Sequence, residues 1–314
     1  MDPWITVAPI YRYWPGADFQ ITTPIDLGNG VFLTPIPDWV KGPEMTPYLH
    51  ESERQEHVQN APLAFTTAYE AASLGDPDPR VLAQQPVSKQ DTAMERIRVA
   101  NLALWLAHPS SARFHLSFDF RSDHGKWIHR RTSRHGNPLL PHPADVENRL
   151  TRDDLAAAKA LNEACAPLPA SSTVWISARA LWRALTETWW EGRYLTLWIA
   201  LEALFGPAQA AETTYRLCQR LALFLDGGGR RGQETFGHAK GGYVWRSKVV
   251  HGLRLQKLKP AESERFMYQT ERWIRAALVK ILGSVDLIAS FSDHHRREAL
   301  LDDLVFGVPP TGEL

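Results

Sequence analysis

The sequence predicts an α+β protein in which a mixed α/β domain precedes an all-α helical bundle. Three observations carry this. Sixteen of the 22 prolines fall before residue 145, and none lies between Ala170 and Gly206 or between Ala208 and Lys259. Proline removes a backbone donor and clashes with the preceding turn, so the first part is turn-rich and the second is free to form helices. Residues 113–120 alternate between apolar and polar, the period of a half-buried strand, whereas residues 172–205 repeat apolar positions at helical spacing.

The first domain, residues 1–140, is read as follows. Residues 19–23 and 31–34 form short strands around the turn Gly28-Asn29-Gly30. Residues 92–107 form a helix through Ile97, Ala100, Leu104 and Trp105, and Pro109 stops it. In the strand 113–120, Phe114, Leu116, Phe118 and Phe120 point one way, and His115, Ser117 and Asp119 the other. Residues 126–132 return as its hairpin partner across Ser122-Asp123-His124-Gly125. The Pro/His/Gly-rich stretch 133–143 is the linker.

The second domain, residues 145–290, is read as five helices. The first covers 151–164. A long second helix starts at Ser171 or Ser172, both good N-caps, and runs to Phe205, with a kink at Gly192. A third, 211–225, presents Leu217, Leu221 and Phe224 and ends at Gly227-Gly228-Gly229. The fourth is short, 242–250, with Gly252 just past its end, and the fifth covers 261–282 behind Pro260. Residues 291–314 are a tail. Trp175, Trp182, Trp189, Trp190 and Trp198 share no single stripe of the long helix, so it carries more apolar surface than one bundle face uses.

Composition narrows the function. Lys plus Arg equals Asp plus Glu, 35 against 35, so no global basic field holds nucleic acid, and any RNA contact is local or assembled from two chains. Cys165 and Cys218 are too few for a disulfide framework and read as reduced, core-filling thiols of a cytoplasmic protein. The start, Met1-Asp2-Pro3-Trp4, lacks the pattern of a signal peptide. The longest nearly apolar run, 194–205, contains Glu202 and is too short for a bilayer, so no membrane contact is expected.

The chemistry concentrates in Tyr243-Val244-Trp245-Arg246-Ser247-Lys248-Val249-Val250-His251-Gly252. RNA carries its own nucleophile, the 2′-hydroxyl. Histidine titrates near neutrality and can move the protons, while arginine stays charged and offers a planar fork to phosphate oxygens. The Arg-x4-His spacing alone is a weak signal, since Arg130 and His135 repeat it in a Pro/Gly/His-rich stretch without a helix. The pair at 246 and 251 stands out by position, late in a helix, inside a bundle and before a capping glycine. Glu202, in an otherwise apolar helix, either pairs with Arg246 or faces solvent. Tyr243 and Trp245 are packing residues or base-stacking platforms. Asp293-His294-His295 has no further partner at ligand spacing, so no metal is expected. Arg230-Arg231 lacks both the Lys-Ser/Thr and the preceding strand of a phosphate loop.

Three segments together resemble the Apea-like HEPN family: Leu197-Trp198-Ile199-Ala200-Leu201-Glu202-Ala203-Leu204-Phe205, then Arg220-Leu221-Ala222, then Tyr243 to Gly252. The resemblance covers about 120 residues, from Trp189 into the fifth helix. It implies a HEPN helical bundle acting as a metal-independent endoribonuclease that cleaves through the 2′-hydroxyl, in anti-phage defence or a toxin-like response. Arg246 and His251 are then catalytic, Ser247, Glu202 and Lys248 support them, and Arg254 and Tyr243 contact RNA. Ser247 stands where many active members carry Asn, Asp or His. The resemblance implies no cofactor, and a homodimer whose two motifs face each other in a composite site. The N-terminal domain would sense a trigger or bind a partner protein. The alternative is a catalytically inactive scaffold or nucleotide-binding module within a larger defence assembly.

Overall fold

The computed structural model describes residues 3–10, 21–59, 61–70, 92–110, 114–135, 150–208, 212–252 and 260–307. It is mixed α and β, with an antiparallel sheet early in the chain and helices after it. The chain divides into two compact units, Met1–Pro167 and Leu168–Leu314.

The first unit is built on a six-stranded sheet of order β2-β3-β4-β1-β5-β6. The strands are β1 Pro3–Ile10, β2 Ile25–Asp26, β3 Val31–Pro35, β4 Leu63–Glu70, β5 Leu116–Asp123 and β6 Lys126–Arg134, and every pairing is antiparallel. Three of these strands, β1, β2 and β4, are absent from the sequence reading. β1 carries Pro3 and Pro9, which argue against an inner strand, but pairing with β5 stops at Val7, so Pro9 is flanked by β4 alone. Of the strand expected over 19–23, the described residues 21–23 are not in a strand. The β2–β3 turn runs through Gly28, Asn29 and Gly30, all at positive φ, where glycine and asparagine are tolerated.

β5 departs from a half-buried strand. Its residues 116–120 are buried on both faces, and Asp119, expected to point outward, is 4% exposed. A buried carboxylate needs partners, and Asp119 has two: the Thr6 hydroxyl donates to it at 2.6 Å and Arg131 Nε at 2.7 Å. The hairpin turn at His124 and Gly125 has positive φ at both positions, which suits the twist of the flanking strands. Ser133 and Arg134, expected in a linker, belong to β6, and residues 136–143 of that linker lie outside the described residues.

Helix α1, Ala93–Ala107, is capped by Thr92, whose hydroxyl accepts the Glu95 N–H, and it packs on the sheet. Helix α2, Arg152–Cys165, groups with this unit rather than with the helical half. The reason is local: Asn162 Nδ2 donates to the carbonyls of Leu27 and Gly28 at 2.8 and 3.1 Å, and Asn29 Nδ2 donates to the Asn162 carbonyl at 2.9 Å. A β-carbon on Gly28 would lie 2.7 Å from Glu163 Cγ, so glycine also permits this close approach.

The second unit is helical: α3 Thr173–Thr186, α4 Trp190–Phe205, α5 Thr213–Asp226, α6 Gly229–Val250, α7 Pro260–Leu282, α8 Val285–Ser292 and α9 His294–Val305. The single long helix expected over 172–205 is two helices, broken at Glu187–Trp189 rather than kinked at Gly192. The Thr186 hydroxyl turns back onto the carbonyls of Trp182 and Arg183, and the Glu187 carboxylate accepts the Trp189 N–H at 3.0 Å, both in competition with helical bonding. Gly192 makes room for this fold-back, since its β-carbon would sit 3.1 Å from Glu187 Cδ.

The short fourth helix of the sequence reading is the last part of the 22-residue α6. Its glycines suggest a break, yet two of them serve packing: a β-carbon on Gly232 would meet the Gly227 carbonyl at 2.2 Å, and one on Gly242 would meet Trp198 at 3.0 Å. Residues 291–305 are not a tail. Ser284 and Asp293 cap α8 and α9, accepting the N–H groups of Leu287 and Arg296.

Helix α4 lies at the centre, packed by α3, α5, α6 and α7. It buries Tyr194, Leu197, Trp198, Leu201, Leu204 and Phe205, and Phe205 joins Phe224 and Phe291 in an aromatic cluster with centroids 5.4–6.2 Å apart. Arg297 of α9 donates to the carbonyls of Ala203 and Gly206, satisfying the carboxyl end of α4 and its dipole. Cys165 and Cys218 are both buried and unpaired with each other, and burial pushes the Cys218 thiol up to about 12. Among the described residues, no helix is long and apolar enough to cross a membrane.

Candidate functional site

Two helices build the site. Gly242 lets α6 approach α4 so closely that Tyr194, inside α4, donates its hydroxyl to the Gly242 carbonyl at 2.8 Å. The next residue, Tyr243, stands edge-on to Trp198 with ring centroids 5.2 Å apart. Trp198 is fully buried, so it fixes both rings.

On this footing α6 presents Arg246 one turn after Tyr243, toward Glu202 of α4. Arg246 Nη2 lies 3.0 Å from Glu202 Oε1 and 3.3 Å from Oε2. Glu202 therefore pairs rather than facing solvent alone. The Tyr243 hydroxyl donates to Glu202 Oε1 at 3.3 Å, and the Arg246 guanidinium lies 5.4 Å from the Tyr243 ring centroid. Burial and the Glu202 charge hold the Tyr243 hydroxyl above its ordinary range, so it stays a proton donor. Only Nη2 of Arg246 touches the carboxylate. Its Nε is buried and has no acceptor among the described residues. Glu202 and Arg246 are each about a quarter exposed, and the pair is open to solvent.

His251 lies beyond the last helical residue, at φ −85° and ψ 6°, and its N–H donates to the Ser247 carbonyl at 3.1 Å. Gly252 then turns at φ +60°, a conformation favouring glycine, and its N–H reaches the Val249 carbonyl. The His251 side chain is exposed and, among the described residues, makes no hydrogen bond or ion pair. Five helical residues advance about 7.5 Å and turn about 140°, so Arg246 leans on α4 while His251 stands free at the helix end.

The fold thus brings Glu202, Tyr243 and Arg246 together. It does not bring Lys248 into that group, because its ammonium sits 4.0 Å over the Trp245 ring. Ser247 is half-buried, and Arg254 lies outside the described residues. Tyr243 and Trp245 both pack, on Trp198 and beside Phe266 respectively. The second Arg-x4-His pair falls in a different setting. Arg130 is the extra residue of a β-bulge, between the pairs His129–Phe120 and Arg131–Asp119. His135 is tied to the Ser117 hydroxyl at 2.7 Å, and burial together with Arg98 depresses it to about 4. Asp293 spends its carboxylate on capping α9, and the Arg296 N–H it accepts holds it below the usual range.

Sequence reasoning missed a buried pair behind the site. Arg193 of α4 and Glu271 of α7 meet at 2.6 Å with side chains 5% and 3% exposed. Neither residue carries a local signal that names its partner: Arg193 lies near the start of the largely apolar α4, and Glu271 stands in α7, an amphipathic helix where charges are common. No family model, curated protein or solved structure matches the chain.

Proposed function

We propose that this chain is a metal-independent endoribonuclease of the HEPN type, with Arg246 and His251 as its catalytic residues. The observation that carries the reading is the end of α6. It offers an exposed histidine with no partner among the described residues and, five residues earlier, a partly exposed arginine oriented by Glu202.

The division of labour follows from the groups. His251 takes the 2′-hydroxyl proton, and the 2′-oxygen attacks the adjacent phosphorus. Arg246 meets the charge that builds on the phosphoryl oxygens. The 5′-oxygen leaves with a proton, and the products end in a 2′,3′-cyclic phosphate and a 5′-hydroxyl. Glu202 and Tyr243 hold Arg246 in place. They are positioning residues. In a homodimer with both α6 ends at its seam, one His251 acts as base and the other as acid. The two copies of Arg246 and Lys248 supply there the positive charge that a chain of zero net charge lacks.

One observation favours the second reading, a non-catalytic scaffold: Glu202 already meets the Arg246 charge. The test is RNA degradation by purified chain in EDTA. His251→Ala and Arg246→Ala each abolish it, in proteins that melt like the parent, if the enzyme reading holds. Wild-type cleavage by His251→Ala removes the assignment, and a parent that leaves RNA intact leaves the scaffold.

A further inference from the structure

Helix α3 and the turn after it carry an unusual surface. From Ala166 to Thr186 the chain contains Arg179 and Arg183 but no Asp or Glu. The two arginines are one turn apart on α3, hence on one face. Both are exposed, and among the described residues neither guanidinium holds an ion pair or hydrogen bond. Several acids of the second unit pair with other arginines: Glu202 with Arg246, Glu271 with Arg193, Glu298 with Arg220 and Arg297, Asp302 with Arg216 and Arg220, and Glu234 with Arg230.

The turn ends in Trp189, whose relative exposure is 75%. The other tryptophans of these helices are buried or half-buried: Trp175, Trp182, Trp190 and Trp198. The backbone that carries the indole is held. The Trp189 N–H is held by the Glu187 carboxylate, and the residue is the N-cap of α4. An exposed aromatic on a fixed backbone, six residues after the second of two arginines without ion pairs among the described residues, matches one ligand chemistry. Its phosphates meet the arginines and its unpaired bases stack on the indole.

We infer that Arg179, Arg183 and Trp189 form a binding surface for single-stranded RNA. The identity of the ligand rests on the ribonuclease reading; the surface itself rests on charge and exposure. A second copy of the chain is the weaker occupant, because a two-fold contact centred here would bring the four arginines of two α3 helices together without acids to offset them. Glu187, in the turn, and Glu191, exposed in the first turn of α4, are the nearest acids in sequence, and among the described residues neither forms an ion pair with Arg179 or Arg183.

The test uses the full chain carrying His251→Ala, so that RNA is bound without being cut, and a labelled 12-nucleotide single strand followed by fluorescence anisotropy. Trp189→Ala weakens binding roughly 5- to 150-fold with little change in salt dependence, since one stacked base is worth about 1–3 kcal/mol. Arg179→Ala with Arg183→Ala lowers the slope of log K against log salt by about 1.4, two phosphate contacts at about 0.7 each, and the Arg→Lys pair restores it. All three side chains are exposed, so the variants fold like the parent, which melting checks. Parent-like binding by both variants overturns the surface while leaving the ribonuclease reading intact. A shift from dimer to monomer in Trp189→Ala overturns it in favour of a self-interface. A parent that binds no RNA removes the ribonuclease reading itself.

Discussion

Removing Glu271 should damage the helical unit more than any exposed charge in it. Arg193 and Glu271 meet at 2.6 Å with side chains 5% and 3% exposed, and Arg193 Nε already lacks an acceptor. Burial pushes the Glu271 carboxyl up, and the Arg193 charge opposes that. Glu271→Leu leaves a guanidinium in a dry interior, and the expected cost is about 3–5 kcal/mol. For a unit the length of Leu168–Leu314 this lowers the melting temperature by roughly 6–20 °C. Arg193→Met costs a similar amount. Together the two substitutions exchange a buried ion pair for apolar side chains of similar size, so the double variant returns to near parental stability. Urea unfolding of parent, singles and double forms the cycle. Singles that each cost under about 1 kcal/mol, as exposed pairs do, would refute the buried-pair account.

Three further outcomes follow. Gly242→Ala gains about 1 kcal/mol of helix propensity but places a methyl 3.0 Å from Trp198 and 3.2 Å from the Tyr194 hydroxyl. Overpacking costs about 1–3 kcal/mol, so the net result in thermal melting is a loss, and a gain would show that α6 does not sit tightly on α4. His135 is held neutral in the folded state, with a pKa of about 4 against an ordinary 6.5. Stability present above pH 6.5 therefore declines as pH falls toward 4, because only the unfolded chain takes up the proton. Corrected for intrinsic exchange, protection of β5 and β6 amides should fall across that window in the parent and fall less in His135→Gln, where the remaining slope comes from His129, whose pKa burial also lowers. Sedimentation should give twice the chain mass, and mixing His251→Ala with the parent should depress cleavage beyond dilution; a fully active monomer contradicts the composite site.

What was legible in the sequence is local. The β5–β6 turn, the helix starts at Thr92 and Thr151 and the Gly252 stop all act within a few residues, where side-chain and backbone chemistry decide the conformation. What was hidden is set by distant partners. β1 reads poorly because of its prolines, and it is a strand because β4 and β5 flank it. The glycines of α6 look like breaks until Trp198 and Gly227 occupy the space their missing β-carbons leave. Helix α2 follows the bundle in periodicity but is anchored to the Leu27 and Gly28 carbonyls by one asparagine. At the site, periodicity places Arg246 and His251 on one helix, but it leaves both orientations of Glu202 open. Only the approach of α6 to α4 makes it the partner of Arg246.

The most direct measurement of the central claim is the chemistry of the cut ends. Purified chain is incubated in EDTA with an RNA oligonucleotide and with the same sequence carrying 2′-O-methyl groups throughout, and the products are weighed by mass spectrometry. With His251 acting on the 2′-hydroxyl, the RNA gives 2′,3′-cyclic phosphate and 5′-hydroxyl ends, and the methylated strand stays whole. Cleavage of the methylated strand, or products with 3′-hydroxyl and 5′-phosphate ends, would contradict it.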